Sequence, residues 1–335
     1  MKAYQIQSPD GLDALKLIDL PDPKPGPGEV LVRIKACSLN YRDLGMPHGG
    51  YARNDKMPLV PLSDGAGEVV EVGEGVSEFQ AGDRVAGCFF RDWERGPVSE
   101  AYLSSGLGGG IDGALAEYVV YSEKGLVKAP AGYSHQQAAC LPCAALTAWN
   151  ALTAANLTAG QTILALGTGG VSIFALQLAK AAGARVIITS SSDEKLSSAR
   201  DLGADETINY SETPDWHKAV RKLSGGGVDN VIEVGGVGTL KKSLASAKVG
   251  GTVSLIGILT GRADAPSPLP ILFNTLILRG IFVGSKEMFL AMNRSIEVNG
   301  IEPVIDKVFG FDEARAAYEH MQSAKHLGKI VISLE

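Results

Sequence analysis

The sequence is poor in cysteine, with Cys37, Cys88, Cys140 and Cys143 as the four among 335 residues. This low density does not support a disulfide framework and is typical of a reducing compartment. The N-terminal stretch MKAYQIQSPDG lacks the apolar core of a secretory signal. The chain also has no run of about 18 apolar residues that could cross a membrane. These absences predict a cytoplasmic protein without a membrane partner.

The chain also lacks a block of positive charge. Its formal net charge is −6 and it contains no long Lys/Arg segment, which argues against nucleic acid as a partner. Hydrophobic residues make up 45% and charged residues 20%, an ordinary globular mixture with enough apolar material for a core. The length suggests about two domains. We therefore expect small, specific binding partners.

The first third is rich in short β-like segments separated by glycine and proline. The clearest are YQIQ, EVLVRIKAC, GEVVEVG, DRVAGCFF and ALAEYVVYS. Together they predict a compact, largely antiparallel β region. Residues 91–113 break this pattern with weak periodicity and a cluster of glycines, and we expect a mobile surface loop there.

Strands and helices alternate from about residue 135 onward. An alanine-rich helical segment follows a potential cap at Ser134, and the strand-like segments after it are TILALG, RVIITS, TINY, NVIEVGG, TVSLIG and LILRGIFVG. Buried-type strands alternating with amphipathic helices predict an α/β fold with a doubly wound parallel sheet. The later strands IDKVFG and KIVISL are expected to return to the β-rich first domain.

A glycine turn between a strand and a helix predicts a dinucleotide site. TILALG leads into Gly167-Thr168-Gly169-Gly170-Val171-Ser172. Gly167 permits a tight turn, Gly169 lets the backbone approach a pyrophosphate, and the N–H groups at Gly170 and Val171 begin a helix. Ser172 replaces the third fingerprint glycine and is small enough for helix–strand packing. The alternative interpretation is a turn with a purely structural role.

The end of the next strand favours NADPH as the cofactor. RVIITS ends in Ser190-Ser191-Ser192, where an NAD site usually carries an acidic residue. Without that carboxylate a 2′-phosphate meets no repulsion, and Lys195 offers a positive charge for it. The same segment can equally be a helix N-terminus with a serine cap and a solvated Lys195. Both interpretations can hold together.

The order of these features resembles the medium-chain dehydrogenase/reductase superfamily over essentially the whole chain. The matching segments are GEVLVRIKACSLNYRDL, PLSDGAGEVVEVGEGV, GDRV, GALAEYV, LPCAALTAW, GGVSIFALQLAKAAGARVI and LGADETINY. The resemblance implies a GroES-like catalytic domain and a Rossmann domain. We expect the catalytic domain at 1–125, completed by 286–335, and the Rossmann domain at 126–285.

The residues at the metal positions of that superfamily resemble its zinc-independent branch. Segment by segment, the catalytic zinc ligands of alcohol dehydrogenases fall on Asn40, Ser63 and Cys143, and the glutamate after the histidine falls on Asp64. The structural zinc lobe would lie within 88–115, where Cys88 is the only cysteine. Zinc needs three protein ligands in a catalytic site and four in a structural one. We therefore expect no metal, and we interpret Cys140-x-x-Cys143 as a packing feature.

The resemblance to quinone oxidoreductases and enoyl reductases also implies roles for single residues. Asn40, followed by Asp43, would lie near the nicotinamide, and Gly50-Tyr51 would form the active-site lip. Tyr51 is the first phenolic hydrogen-bond donor we consider and Tyr41 a weaker second. Three further residues would bind the cofactor, at the nicotinamide amide or the 2′-phosphate: Thr147, Lys195 and Tyr210.

Each of these residues could instead have a purely structural role or none. Asn40 could serve a turn, Tyr41 could belong to the core, and Tyr51 could be an exposed residue without function. The resulting hypothesis is an NADPH-dependent reductase of a quinone, an enone or another activated carbonyl, acting as a homodimer. The competing hypotheses are an alcohol or aldehyde dehydrogenase of the same superfamily and an inactive NADPH-binding structural or regulatory protein.

Overall fold

A computed structural model describes residues 1–50, 57–261 and 266–335. Within these ranges the chain forms fifteen strands: β1 (Lys2–Ile6), β2 (Leu15–Asp19), β3 (Glu29–Ser38), β4 (Asp64–Val72), β5 (Arg84–Gly87), β6 (Tyr118–Ser122), β7 (Leu126–Lys128), β8 (Thr162–Leu166), β9 (Arg185–Ser190), β10 (Glu206–Asn209), β11 (Val228–Glu233), β12 (Ala247–Leu255), β13 (Ile277–Gly280), β14 (Ile305–Gly310) and β15 (Lys329–Ser333).

The same ranges contain ten α-helices: α1 (Glu100–Leu103), α2 (His135–Ala139), α3 (Leu146–Ala154), α4 (Gly170–Ala181), α5 (Asp193–Asp201), α6 (Trp216–Leu223), α7 (Val237–Ser246), α8 (Leu269–Phe273), α9 (Lys286–Asn299) and α10 (Ala314–Gln322). None of these helices is long and apolar enough to cross a membrane. The chain divides into two compact units, Met1–Leu146 with Val283–Glu335 and Thr147–Phe282.

A seven-stranded sheet organises the first unit. Its strands follow the order β14-β15-β3-β4-β5-β7, and β6 pairs with β3 beside this path. Every pairing except the parallel one between β14 and β15 is antiparallel. The chain therefore returns to the first unit near its end, as IDKVFG and KIVISL predicted. A separate two-stranded ribbon joins β1 to β2.

The first unit extends further along the chain than we expected, because it includes residues 126–146. This difference follows from pairing, since β7 is hydrogen-bonded to β5 and so belongs to the first sheet. The predicted helix after Ser134 begins where expected: the Ser134 hydroxyl accepts the N–H of Gln137 at 3.1 Å. A turn of π-helix at Leu141–Ala145, which contains Pro142, then separates α2 from α3.

The second unit contains the predicted parallel sheet. Its six strands lie in the order β10-β9-β8-β11-β12-β13 and every pairing is parallel. This is the strand order of doubly wound dinucleotide-binding folds. LILRGIFVG supplies β13, the last strand in this order. The predicted α/β class, with a GroES-like part and a Rossmann-like part, is confirmed.

The prediction of a surface loop at 91–113 is wrong for the second half of that segment. Leu107 belongs to the hydrophobic core, and Ser105 is also buried. Its glycines allow close packing rather than mobility: a Cβ atom on Gly113 would lie 2.0 Å from the carbonyl oxygen of Leu62. Glycine clusters are ambiguous in a sequence, because both loops and close backbone contacts require them.

Candidate functional site

The glycine turn of the second unit has the geometry that a pyrophosphate site needs. Gly167 adopts a φ of 72°, and Gly169 precedes the first residue of α4 without a side-chain cap. Ile173 donates its N–H to the carbonyl of Gly169, so the preceding N–H groups, including those of Gly170 and Val171, have no partner inside the helix. These groups and the helix dipole are suited to bind an anion.

Ser172 does more than replace a glycine. Its hydroxyl donates a hydrogen bond of 2.6 Å to the carbonyl oxygen of Leu166, the last residue of β8. This bond ties the first turn of α4 to the end of the strand and satisfies a carbonyl at the turn. We infer that Ser172 holds the glycine turn in place, a role that its small size alone did not reveal.

The ends of β9 and β10 lie side by side. Ser190 pairs in register with Asn209, and the N–H of Tyr210 is donated to the carbonyl of Ser190 at 3.0 Å. The Tyr210 side chain is 42% exposed, and the Ser190 hydroxyl accepts the N–H of Ser192. Ser190 and Tyr210, both expected to bind the cofactor, are therefore neighbours.

The helix-cap interpretation of SSSDEK also agrees with the structure. The hydroxyl of Ser192 accepts the backbone N–H of Lys195, which makes Ser192 the cap of α5. Asp193 is engaged as well, because it accepts the side-chain amide of Asn209 at 2.9 Å. Ser191 is exposed and Lys195 half-buried in this turn, next to Ser190. Thr147 lies at the second position of α3 and is 3% exposed.

The second unit contains a buried carboxylate that the sequence did not point out. Glu233, at the end of β11, accepts the N–H groups of Gly235 at 2.7 Å and Gly236 at 2.9 Å. It also accepts the hydroxyls of Thr239 at 2.6 Å and of Ser243 on α7. These four donors hold the turn between β11 and α7. Because carboxyl ends of parallel strands form the ligand-binding edge of such sheets, Glu233 shapes that edge.

Asn40 is buried in the first unit at the end of β3. Its backbone N–H is donated to a carboxylate oxygen of Asp43 at 2.7 Å, so the Asn-x-x-Asp spacing closes one turn of 3-10 helix at Tyr41–Leu44. The side-chain nitrogen Nδ2 is also buried and has no hydrogen-bond partner within the described ranges. A buried polar group without a partner is unfavourable and occurs preferentially at functional sites.

Lys329 is the second residue that sequence inspection missed. Its side chain is 3% exposed, and Nζ donates to the carbonyl of Leu39 at 2.5 Å and to Oδ1 of Asn40 at 2.6 Å. Nζ also lies 3.8 Å from Oδ2 of Asp64. One sequence feature could have indicated this residue: Lys329 is the first residue of KIVISL, a largely apolar strand segment. Because lysine is rarely buried without partners, a lysine in such a strand indicates a specific contact.

Asp64 and Ser63 form a buried pair beside this lysine. The Ser63 hydroxyl donates to Oδ1 of Asp64 at 2.6 Å, and the backbone N–H of Cys143 is donated to Oδ2 at 3.2 Å. The π-helical turn presents that N–H to the carboxylate. Leu62, directly before the pair, is held at a φ of 66°, an unfavourable value for leucine. Such a backbone conformation at Leu62 persists only where the surrounding structure stabilises it.

The positions that the resemblance assigns to the catalytic zinc hold an amide, a hydroxyl and a thiol, those of Asn40, Ser63 and Cys143. Burial and the nearby Asp64 raise the pKa of the Cys143 thiol, so in the absence of a metal it is protonated at neutral pH. The ammonium of Lys329 lies 3.8 Å from the carboxylate of Asp64. Across the described part of the chain no cluster of three His, Cys, Asp or Glu residues could hold a metal ion. Cys140 is a buried thiol, whereas Cys143 is intermediate in exposure, and burial raises the pKa of Cys140 to about 12.

The described residues include one of the two expected catalytic tyrosines. Tyr51 lies outside the described residues. Tyr41 follows Asn40 in the chain, but its side chain is 47% exposed, so the core alternative for Tyr41 is wrong. The structure thus brings together Asn40, Asp64 and Lys329, which are distant in sequence.

Comparison with known proteins gives matches to two family models. Residues 26–131 match "Alcohol dehydrogenase GroES-like domain", and residues 170–297 match "Zinc-binding dehydrogenase". A zinc-type alcohol dehydrogenase-like protein of Schizosaccharomyces pombe is 46% identical over 97% of this chain and 96% of its own length. The 2-methylene-furan-3-one reductase of Solanum lycopersicum is 32% identical over 99% and 79%. The quinone oxidoreductase of Rattus norvegicus is 28% identical over 100% and 98%.

Solved structures are similar over the whole chain. A crystal structure of an NAD-dependent alcohol dehydrogenase has a TM-score of 0.91 and 32% identity, and the match covers 100% of both chains. The 2-octenoyl-CoA carboxylase reductase CinF, in complex with NADP and 2-octenoyl-CoA, has a TM-score of 0.89 and 26% identity over 99% of this chain and 87% of that one.

Proposed function

Because the chain belongs to the medium-chain dehydrogenase/reductase family, we propose that it transfers a hydride from NADPH to a quinone or an α,β-unsaturated carbonyl without a catalytic metal. One observation carries this proposal. At the place where metal-dependent relatives would bind zinc, this chain has a buried amide whose oxygen accepts a hydrogen bond from a buried ammonium. The Nδ2 of that amide has no partner within the described residues. The free N–H bonds of such an amide can stabilise an oxyanion, while the ammonium holds the amide oxygen.

The chemistry needs a hydrogen-bond donor at the substrate oxygen. NADPH, when bound, supplies the hydride to the β-carbon of the enone. The electron pair of the C=C bond then moves toward the carbonyl, whose oxygen becomes an enolate. Nδ2 of Asn40 donates to that oxygen and stabilises its negative charge. A proton from water reaches the α-carbon and yields the saturated ketone and NADP⁺. With a quinone, the hydride supplies two electrons and one hydrogen, and water supplies the one further proton of the hydroquinone.

The preference for NADPH rests on the ends of β9 and β10. Ser190, Ser191, Lys195 and Tyr210 border this edge of the sheet, and β9 itself ends without an acidic side chain. We assign Lys195 and Tyr210 to the 2′-phosphate and the glycine turn to the pyrophosphate. Thr147 is assigned to the nicotinamide amide. Tyr51, and less strongly Tyr41, remain proposed additional donors to the substrate.

Relatives with related activities support the substrate class. The tomato relative is named as a reductase of 2-methylene-furan-3-one, a conjugated ketone, and the rat relative as a quinone oxidoreductase. CinF was solved with NADP and an unsaturated thioester. An enone or a quinone is accordingly the proposed partner, and a reducing compartment such as the cytoplasm suits the four free thiols.

Oxidation of NADPH by purified protein tests the proposal. The assay would compare quinones, enones, enoyl thioesters and aldehydes, each with NADPH and with NADH. We expect turnover of quinones or enones and higher kcat/KM with NADPH. Turnover of aldehydes alone would reject the substrate class. Tight NADPH binding without turnover of any compound would instead favour the inactive nucleotide-binding protein.

An alcohol or aldehyde dehydrogenase is the second candidate. It is favoured by the Schizosaccharomyces pombe relative, named as zinc-type alcohol dehydrogenase-like, and by the NAD-dependent structural neighbour. Metal analysis separates the candidates: a zinc content of about one per chain that is lost together with activity would reject a metal-free mechanism. We expect activity to survive prolonged chelation.

The edge of the parallel sheet supports a homodimer. β13 is the last strand in the sheet order, and its apolar residues Ile277 and Leu278 are exposed. Nearby, Leu272 and Phe273 on α8 are also exposed. An apolar edge strand of a soluble protein is normally covered, and a second copy of the chain can pair with it by strand addition.

A further inference from the structure

The orientation of the Asn40 amide is determined by its contact with Lys329. An ammonium group has three donors and no acceptor, so only the oxygen of an amide can lie 2.6 Å from it. The opposite orientation would place the amide NH2 against the ammonium of Lys329. Donor would then face donor in a buried setting. The hydrogen bond from Lys329 therefore fixes the amide of Asn40 in one orientation, with Nδ2 turned away from Lys329.

The other contacts of Lys329 keep its own ammonium in place. Nζ has the carbonyl of Leu39 at 2.5 Å, Oδ1 of Asn40 at 2.6 Å and Oδ2 of Asp64 at 3.8 Å. Two oxygens thus accept hydrogen bonds from the ammonium, and the Asp64 carboxylate lies at ion-pair distance from it. Asp64 is itself held by the hydroxyl of Ser63 and the N–H of Cys143. Successive contacts therefore connect Ser63 to Asp64, Asp64 to Lys329, and Lys329 to the amide of Asn40.

We propose that Lys329 is a positioning residue, which keeps Nδ2 of Asn40 directed at the carbonyl oxygen of the substrate. The inference deepens the proposed function and depends on it for the identity of that oxygen. The buried, unpartnered Nδ2 is the donor, and Lys329 acts through it without touching the substrate. Pre-orienting this donor removes the need to reorganise it when negative charge develops on the oxygen.

A double-mutant cycle between Asn40→Ala and Lys329→Met tests this coupling. We expect Asn40→Ala to lower kcat by on the order of 100-fold, since it removes one oxyanion donor. Lys329→Met, which keeps the length of the side chain, should lower kcat by on the order of 10-fold or more, with little change in the Kd of NADPH. The double variant should be no slower than Asn40→Ala alone, because Lys329 has no other route to the reaction.

The matched control is Lys286→Met. Lys286 is a second buried lysine of the same unit, with Nζ 2.7 Å from Glu78 and 3.0 Å from the carbonyl of Glu123. Its loss should affect stability and leave kcat within about 2-fold of the wild type, since removal of a buried charge partner acts on folding. If the effects of Asn40→Ala and Lys329→Met on kcat multiply, Lys329 does not act through Asn40 and the proposal is overturned.

A readout without turnover keeps this inference separable from the proposed function. In protein labelled with ¹⁵N-asparagine, the side-chain resonance of Asn40 is assigned by its absence in Asn40→Ala. We expect Lys329→Met to shift this resonance and Lys286→Met to leave it in place. An unmoved resonance in folded Lys329→Met overturns the inference, whatever the substrate panel shows. If the protein reduces only aldehydes, the proposed substrate class is wrong. The double-mutant cycle can then be measured with an aldehyde, so the role of Lys329 is still tested.

Discussion

The carboxylate of Asp43 accepts the backbone N–H of Asn40 at 2.7 Å while its own side chain is fully buried. Burial raises the pKa of Asp43 from 3.8 to about 6, although the neighbouring Arg42 lowers it. Between pH 3.8 and about 6, Asp43 is therefore protonated in the folded protein but ionised in the unfolded chain. The resulting stability is present below pH 3.8 and is lost as the pH rises to about 6.

Asp43→Asn should remove this pH dependence. The difference between the two pKa values corresponds to about 3 kcal/mol. We expect the free energy of unfolding of the wild type to fall relative to that of Asp43→Asn by up to this amount between pH 4 and pH 7. Urea titrations of both proteins across the range give the measurement. A difference between the two proteins that does not change with pH would contradict the raised pKa.

Gly113→Ala should destabilise the turn before Ser63. Its Cβ would lie 2.0 Å from the carbonyl oxygen of Leu62 and 2.4 Å from that of Pro61, both backbone atoms that cannot move independently. We expect a loss of about 3 kcal/mol, together with a fall in kcat. Gly106→Ala is the control, because its Cβ would lie no closer than 3.4 Å to a neighbour. Equal stability of the two variants would show that the glycines do not serve close packing.

Glu233→Ala should loosen the turn between β11 and α7. Two backbone N–H groups and two hydroxyls would lose their acceptor, and we expect a loss of about 3 kcal/mol in unfolding free energy and weaker NADPH binding. Glu233→Gln keeps an acceptor and can donate to the Ser243 oxygen, so it should lose much less. Denaturant titration and fluorescence titration with NADPH measure both effects. A Gln variant as weak as the Ala variant would argue that charge rather than hydrogen bonding matters.

Lys195→Ala should weaken NADPH specifically. Loss of one charged hydrogen bond to a 2′-phosphate is expected to raise the Kd of NADPH about 10-fold while the Kd of NADH stays unchanged. Lys222→Ala, an exposed lysine on α6, serves as the control for a general change of surface charge. Equal affinities of the wild type for NADPH and NADH would reject the cofactor preference itself.

Ile277→Lys should separate the proposed dimer. A charged side chain on the exposed strand β13 opposes pairing with a second copy. We expect the mass from light scattering to fall from dimer to monomer, with the fold retained by circular dichroism. Val298→Lys, at a residue 85% exposed on α9, should leave the mass unchanged. A monomeric wild type would remove the dimer from the proposal.

Features with a local signature could be predicted from the sequence. The turn at Gly167–Gly170, the alternation that produces β8 to β13, and the cap at Ser134 all depend on residues close in the chain. The return of β14 and β15 to the first unit also followed from their strand patterns and from the resemblance. By contrast, the glycines of 105–113 were misinterpreted, because a sequence does not reveal which backbone will approach them.

By itself, the sequence determined the α/β class, the glycine turn and the serine-rich end of β9. It also has Asn40 and Ser63 at positions where the resemblance would place zinc ligands. Only the tertiary structure decided which polar group faces Asn40. Lys329 stands 289 positions away and meets it because β15 pairs with β3. Periodicity and turn chemistry act over a few residues, whereas a buried ammonium receives its partners from strand pairing across the whole chain.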